Sequence, residues 1–177
     1  MKLRSFGIVA AWALACSSAL ALSNSDDKAA RERIGATYKA DASACAKLSG
    51  NAKDICLAEA VGRRNVARAE LDAAQHDSPR ARAKVADEKA EAAYTVAKER
   101  CDDLAGNAKD VCVADASAQY RRAKADTKAQ QRIAEARSDA RADARDAEYK
   151  AAKERCDSYA GDAKERCVAD LKARYGK

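Results

Sequence analysis

The chain has 177 residues, with 34 basic and 28 acidic side chains, one His, one Pro and one Trp; 35% of it is charged and 5% aromatic. Usage so rich in charge and alanine matches long helices or coiled coil and excludes a β-sandwich or an α/β domain, which need more branched and aromatic residues. The formal net charge of +6 is spread in interleaved signs, without the clustered basic patch that phosphate binding requires, so specific nucleic-acid recognition is excluded too.

The first residues carry Lys2 and Arg4, an apolar run from Phe6 to Leu14, and small residues closing on Ala19-Leu20-Ala21. This is the layout of a secretory leader with an A-x-A cleavage site, so residues 1–21 read as a signal peptide and a periplasmic location is expected. Lipid anchoring at Cys16 is the lesser alternative, because Ala13-Leu14-Ala15 reverses the Leu-then-small order of a lipobox. A membrane anchor is disfavoured as well, since the apolar run falls short of the ~20 residues that span a bilayer. Removing the leader leaves six of the seven Cys: Cys45, Cys56, Cys101, Cys112, Cys156 and Cys167. An even count in an exported chain reads as a disulfide framework.

Those six Cys frame a phrase that occurs three times, GNAKD at Gly50 and Gly106 and GDAKE at Gly161. Each copy has a Cys five residues before its Gly and another six after, a Tyr seven before the first Cys (Tyr38, Tyr94, Tyr149), and an Ala then an acid after the second. The first Cys recurs after 56 and then 55 residues, which marks an internal repeat. One continuous helix would hold the two Cys of a C-x10-C segment roughly 16 Å apart, whereas a disulfide needs Cα atoms within about 7 Å. A break at the central Gly removes the conflict. Gly50, Gly106 and Gly161 suit the left-handed residue that ends a helix, and Asn51, Asn107 and Asp162 are good N-caps. Asp54, Asp110 and Glu165 follow three residues later, as in a capping box. Each phrase is therefore expected to be a tight turn between antiparallel helices, pairing Cys45 with Cys56, Cys101 with Cys112, and Cys156 with Cys167.

The apolar spacing agrees. Tyr94, Ala97, Cys101 and Leu104 step by three, four and three, as do Tyr149, Ala152, Cys156 and Tyr159, while Cys112, Ala116, Tyr120 and Cys167, Leu171, Tyr175 carry the seam along the return helix. Asp77-Ser78-Pro79 ends one helix and starts the next, with Ser78 as N-cap and Pro79 at the first helical position. The matching region near Gln130 to Arg132 has neither Gly nor Pro. Helices are thus expected over 25–49, 52–76, 79–105, a long one over 108–160 whose continuity the sequence leaves open, and 163–175. The resulting fold class is all-α: antiparallel helical hairpins forming a bundle over 22–130, long Ala-rich helices, three C-x10-C stapled turns, and a projecting hairpin over 131–177.

Within the long helix, Arg137, Arg141 and Arg145 form one i, i+4 line, Glu135, Asp139 and Asp143 a second, and Ala136, Ala140 and Ala144 a third. Like charges at that spacing repel weakly. The stripes are either a solvated face or the complement of a neighbouring helix or protomer, which leaves self-association open.

Catalytic, cofactor-binding and metal-ligating residues are not assigned. His76 is the lone His, so a Ser/His/Asp or Cys/His triad could form only around it, and it lies in the turn beside Asp77. C-x10-C is not a zinc spacing. Neither a C-x-x-C redox motif nor a G-x-x-x-x-G-K phosphate loop occurs.

The Ala/Lys/Arg/Asp/Glu-rich stretch from Ala123 to Ala147 resembles the extended periplasmic region of the cell-envelope protein TolA. The triple Y-x6-C-x4-G-[ND]-A-K-x2-C pattern departs from TolA, as do the cleavable leader and the lack of a globular domain before Lys177. It is more similar to small exported bacterial proteins labelled TolA-like, which implies a place in the envelope without an energy-transducing role. The expected function is a non-enzymatic structural or binding element of the bacterial envelope, touching envelope proteins, peptidoglycan or anionic lipid. A periplasmic chaperone or adaptor for client proteins is one alternative, and a Cys-based metal or redox protein another.

Overall fold

The computed structural model describes residues 24–177. The expected leader and Cys16 lie outside that range. Five helices follow in order: α1 (Asn24–Cys45), α2 (Gly50–Gln75), α3 (Pro79–Cys101), α4 (Gly106–Cys156) and α5 (Gly161–Tyr175). No strand occurs among the described residues. The fold is all-α and built of antiparallel hairpins, with disulfides Cys45–Cys56, Cys101–Cys112 and Cys156–Cys167. The fourth helix runs unbroken for 51 residues, about 75 Å at 1.5 Å per residue.

Helix boundaries depart from expectation in one systematic way. Each first helix of a repeat stops at its Cys, four residues early, and each second helix begins at the Gly itself. The residues after the Cys tighten into i→i−3 bonds, such as Leu104 N–H to Cys101 O at 3.0 Å and Tyr159 N–H to Cys156 O at 3.1 Å. This 3₁₀-type closure satisfies carbonyls that an α-helix end leaves open. Because the helix starts earlier, Asn51, Asn107 and Asp162 are not N-caps. Ser49, Ala105 and Ala160 hold that position in extended backbone, without a side-chain cap bond. The expected capping boxes do not form either, since Asp54, Asp110 and Glu165 fall beyond the first turn. Gly50, Gly106 and Gly161 are left-handed, at φ +56°, +55° and +54°, so the turn does need glycine there. They open the second helix rather than close the first. The expectation at Ser78 matches in detail: its Oγ accepts from Ala81 N–H at 3.0 Å, with Pro79 opening α3.

Packing runs strictly between sequence neighbours. Cα atoms come within 8 Å only between α1 and α2, α2 and α3, α3 and α4, and α4 and α5. This refines the expected bundle, because the first half of α4 packs its backbone on α3 and comes within that distance of neither α1 nor α2. The physical reason lies in the interior. Its buried apolar residues are Cys45, Ala60, Ala69, Ala83, Cys101, Ala116 and Cys156, all Ala or Cys. Side chains this small draw two helices close together but cannot fill the centre of a closed bundle. Gly62 illustrates the closeness, since a Cβ there would lie 2.7 Å from Ala92 Cβ.

Candidate functional site

The three stapled turns are the most specifically built features of the chain. Cα–Cα distances across the disulfides are 5.5, 5.7 and 5.7 Å, in the middle of the range a cystine accepts. In every hairpin the first Cys is the last helical residue and is fully buried. All six described Cys are oxidised, so none presents a thiolate.

A second clasp lies about two turns from each disulfide. In the α3–α4 hairpin Tyr94 stacks on Tyr120 with ring centroids 4.9 Å apart; in the α4–α5 hairpin Tyr149 meets Tyr175 edge-on at 5.8 Å. The α1–α2 hairpin has Arg64 at the corresponding place, and its guanidinium lies 4.4 Å from the Tyr38 ring centroid. The same Tyr thus meets either an aromatic ring or a cation, both of which a π-face attracts. Glu91 accepts the Tyr120 hydroxyl, and this bond, followed by burial, raises the phenol's pKa above its usual value.

An ion pair marks the two later repeats. Lys109 Nζ sits 2.8 Å from Asp102, and Lys164 Nζ 2.7 Å from Asp157, each linking the residue after the first Cys to the Lys of the repeated phrase. The Lys164 ammonium, through hydrogen bond and charge, holds Asp157 below the usual carboxylate range. Repeat one has Ala46 at the acid position and forms no such pair. Its Asn51 instead donates to Glu99 O at 2.7 Å, tying the start of α2 to the end of α3. The first two turns therefore lie side by side at one end of the array.

Leu48, Leu104 and Tyr159 occupy equivalent turn positions and are 45, 43 and 55% exposed. This corrects the expected seam, which included Leu104 and Tyr159; the seam ends at the Cys because the helix ends there. The charge stripes of α4 are exposed throughout 135–148. Within the stripes Glu135 accepts from Gln131 at 2.8 Å, and Arg145 donates to Tyr175 O at 3.1 Å beside the Lys177–Asp146 pair at 2.7 Å, both fastening the end of α5.

A groove on one face of the α2–α3 pair escaped the sequence reading. It is a wide, open trough of ≈ 780 Å³ floored by Val66, Ala67, Ala92, Val96 and Ala97, with charged residues at its margins and Cys112 of α4 at one edge. The signal was there in Gly62, a mid-helix glycine whose spacing from Val66 places both on one face. His76 is exposed in the α2–α3 turn, with its N–H bonded to Asp72 O at 3.0 Å. Among the described residues, no group of three or more His, Cys, Asp or Glu side chains is arranged to hold a metal, and no helix is long and apolar enough to cross a membrane. In comparisons with protein-family models, curated proteins and solved structures, the chain matches none.

Proposed function

We propose that this chain is an exported, non-enzymatic helical protein of the bacterial envelope, serving as a structural or binding element. The observation that carries the reading is the set of three disulfides clasping a structure whose interior is made of Ala and Cys. Cystines of this kind persist in oxidising compartments such as the periplasm, and so thin a core gives covalent closure a clear purpose. The leader-like layout of residues 1–21 supports the same compartment. The length of α4 suits a spacer: an exposed helical stretch over 136–144 separates the stapled α3–α4 hairpin from the stapled α4–α5 hairpin. Either hairpin can then engage an envelope component while the helix sets the distance between them.

Cell fractionation with thiol trapping tests the compartment, and crosslinking followed by affinity purification from envelope extracts tests the role. The expected result is a periplasmic protein lacking its first residues, without free thiols, crosslinked to envelope components. Recovery from the cytoplasm with six reduced thiols would sink the reading.

A further inference from the structure

The α2–α3 groove has features that point to a particular occupant. It is closed at each end by an ion pair bridging the two helices: Glu59 to Arg100 at 3.0 Å, and Glu70 to Lys89 at 2.8 Å. The acid comes from α2 and the base from α3 in both cases. The pairs are eleven residues apart along α2, about 16 Å, and the floor between them is Gly, Ala and Val. Cys112 of α4 borders the groove at its Arg100 end, and beyond that edge no element of the described chain lies over this face, since the backbone of α1 packs on α2 alone and that of α4 on α3 and α5 alone. Small side chains of this kind let a further helical layer approach to about 8 Å.

We propose that the groove is the interface of a twofold dimer in which a second copy of this chain lays its own α2–α3 face against it, the axis running along the helices. The charge pattern selects both the occupant and the axis. Rotation about that axis sets α2 of one copy over α3 of the other at equal height. Glu59 then meets Arg100 of the second copy, and Glu70 meets its Lys89, at both ends and in both directions. An axis running across the helices would instead stack Glu59 on Glu70 and Arg100 on Lys89, where like charges repel. The surface is therefore self-complementary in one orientation only, the condition that an isologous interface must meet. The four helices so assembled bury Val66 and Val96 of both copies in the closed core that a single chain lacks. This inference stands independently of the envelope role, because the interface would form wherever the protein folds.

Sedimentation velocity on the oxidised, leader-free protein tests it. The expected result is a reversible dimer that Val66→Glu and Val96→Glu, made separately, each convert to monomer with the helical circular dichroism retained. Should either variant unfold, a charge series remains decisive. The double inversion Glu59→Arg with Glu70→Arg should weaken the dimer by about tenfold or more, and adding Arg100→Glu with Lys89→Glu should restore it. Nitroxide labels placed singly at Lys53 and at Ala74 report the axis. Both should give the same short distance between copies, whereas the crossed axis would separate either pair by on the order of 30 Å. A monomer at every concentration, a dimer indifferent to both Glu variants and to the charge series, or the long label distance would overturn the proposal. Binding of an apolar dye by a persistent monomer would overturn it as well, by assigning the groove to a different occupant.

Discussion

At the scale of single residues, three glycines separate two physical effects. Gly106 has φ +55° and nothing within 4 Å of an added Cβ, so any penalty on substitution comes from the backbone and not from crowding. Left-handed geometry costs an L residue about 1–2 kcal/mol, least for Asn and most for a β-branched side chain. Thermal melts should therefore rank wild type above Gly106→Asn, then Gly106→Ala, then Gly106→Val; an unchanged midpoint for the Val variant would refute the left-handed turn. Gly35 and Gly62 are both helical, but only Gly62 faces a neighbour, Ala92 Cβ at 2.7 Å. Gly35→Ala should stabilise the protein by roughly 0.5–1 kcal/mol through helix propensity. Gly62→Ala should lower stability despite the same propensity gain, because α2 and α3 must separate. Chemical denaturation of the two variants checks the opposite signs.

Tyr120 supplies a pH dependence at the same scale. Its pKa is raised in the folded state, first by the bond to Glu91 and then by burial. The stabilisation is fully present below the ordinary phenol value of 10.0 and is lost as pH rises through the higher folded value. Tyrosine absorbance should show one phenol titrating late, and Tyr120→Phe should remove that late component. Asp157 works in the opposite sense, since Lys164 lowers its pKa from 3.8. That contribution is present above pH 3.8 and fades as pH falls through the lower folded value.

At the scale of elements, the stapled hairpin is the repeated unit, and each of the three has a disulfide at its turn and a π contact further along. Replacing Cys101 and Cys112 together by Ser should cost about 3 kcal/mol, the amount expected of a cross-link closing a loop of this order. Melting of the double variant against wild type measures it, and a change below a few tenths would place the stability elsewhere. The hairpins are unequal, however. α5 packs only on α4, whereas α3 is flanked by both α2 and α4. Elements with few neighbours open first, so hydrogen exchange should show α5 and the α4 stretch over 135–148 losing protection well before α2 and α3. Uniform protection along the chain would contradict the open packing. The repeats therefore share a design but not a packing environment, and the one with Arg64 in place of a second Tyr draws on a different interaction from its siblings.

At the scale of the whole molecule, the governing fact is an open layer of helices with an interior of Ala and Cys. Full reduction should accordingly cost more cooperativity than it would in a protein with a large apolar core. Circular dichroism melts with and without reductant should show a broader, earlier transition on reduction, and identical melts would mean that the staples are dispensable. The long helix makes the molecule extended. If the α2–α3 groove closes on a second copy, the four-helix core forms between chains.

Residues and spacing alone were enough to read the hairpin plan. C-x10-C with a central Gly cannot close a disulfide on a straight helix, so chain geometry dictates both the turn and the pairing of all six Cys. A long fourth helix was legible from the absence of Gly or Pro near Gln130, although its running unbroken over 51 residues is a finding of the structure. Tertiary structure decided the rest. Where each helix stops depended on how the chain crosses between two packed helices, which moved the ends to Cys45, Cys101 and Cys156 and displaced Asn51 from a cap to a bond with Glu99. Whether the bundle closes depended on which side chains meet across space. Ala against Ala brings neighbours together in pairs and leaves nothing to fill a centre, so the layer stays open and the groove between α2 and α3 stays uncovered.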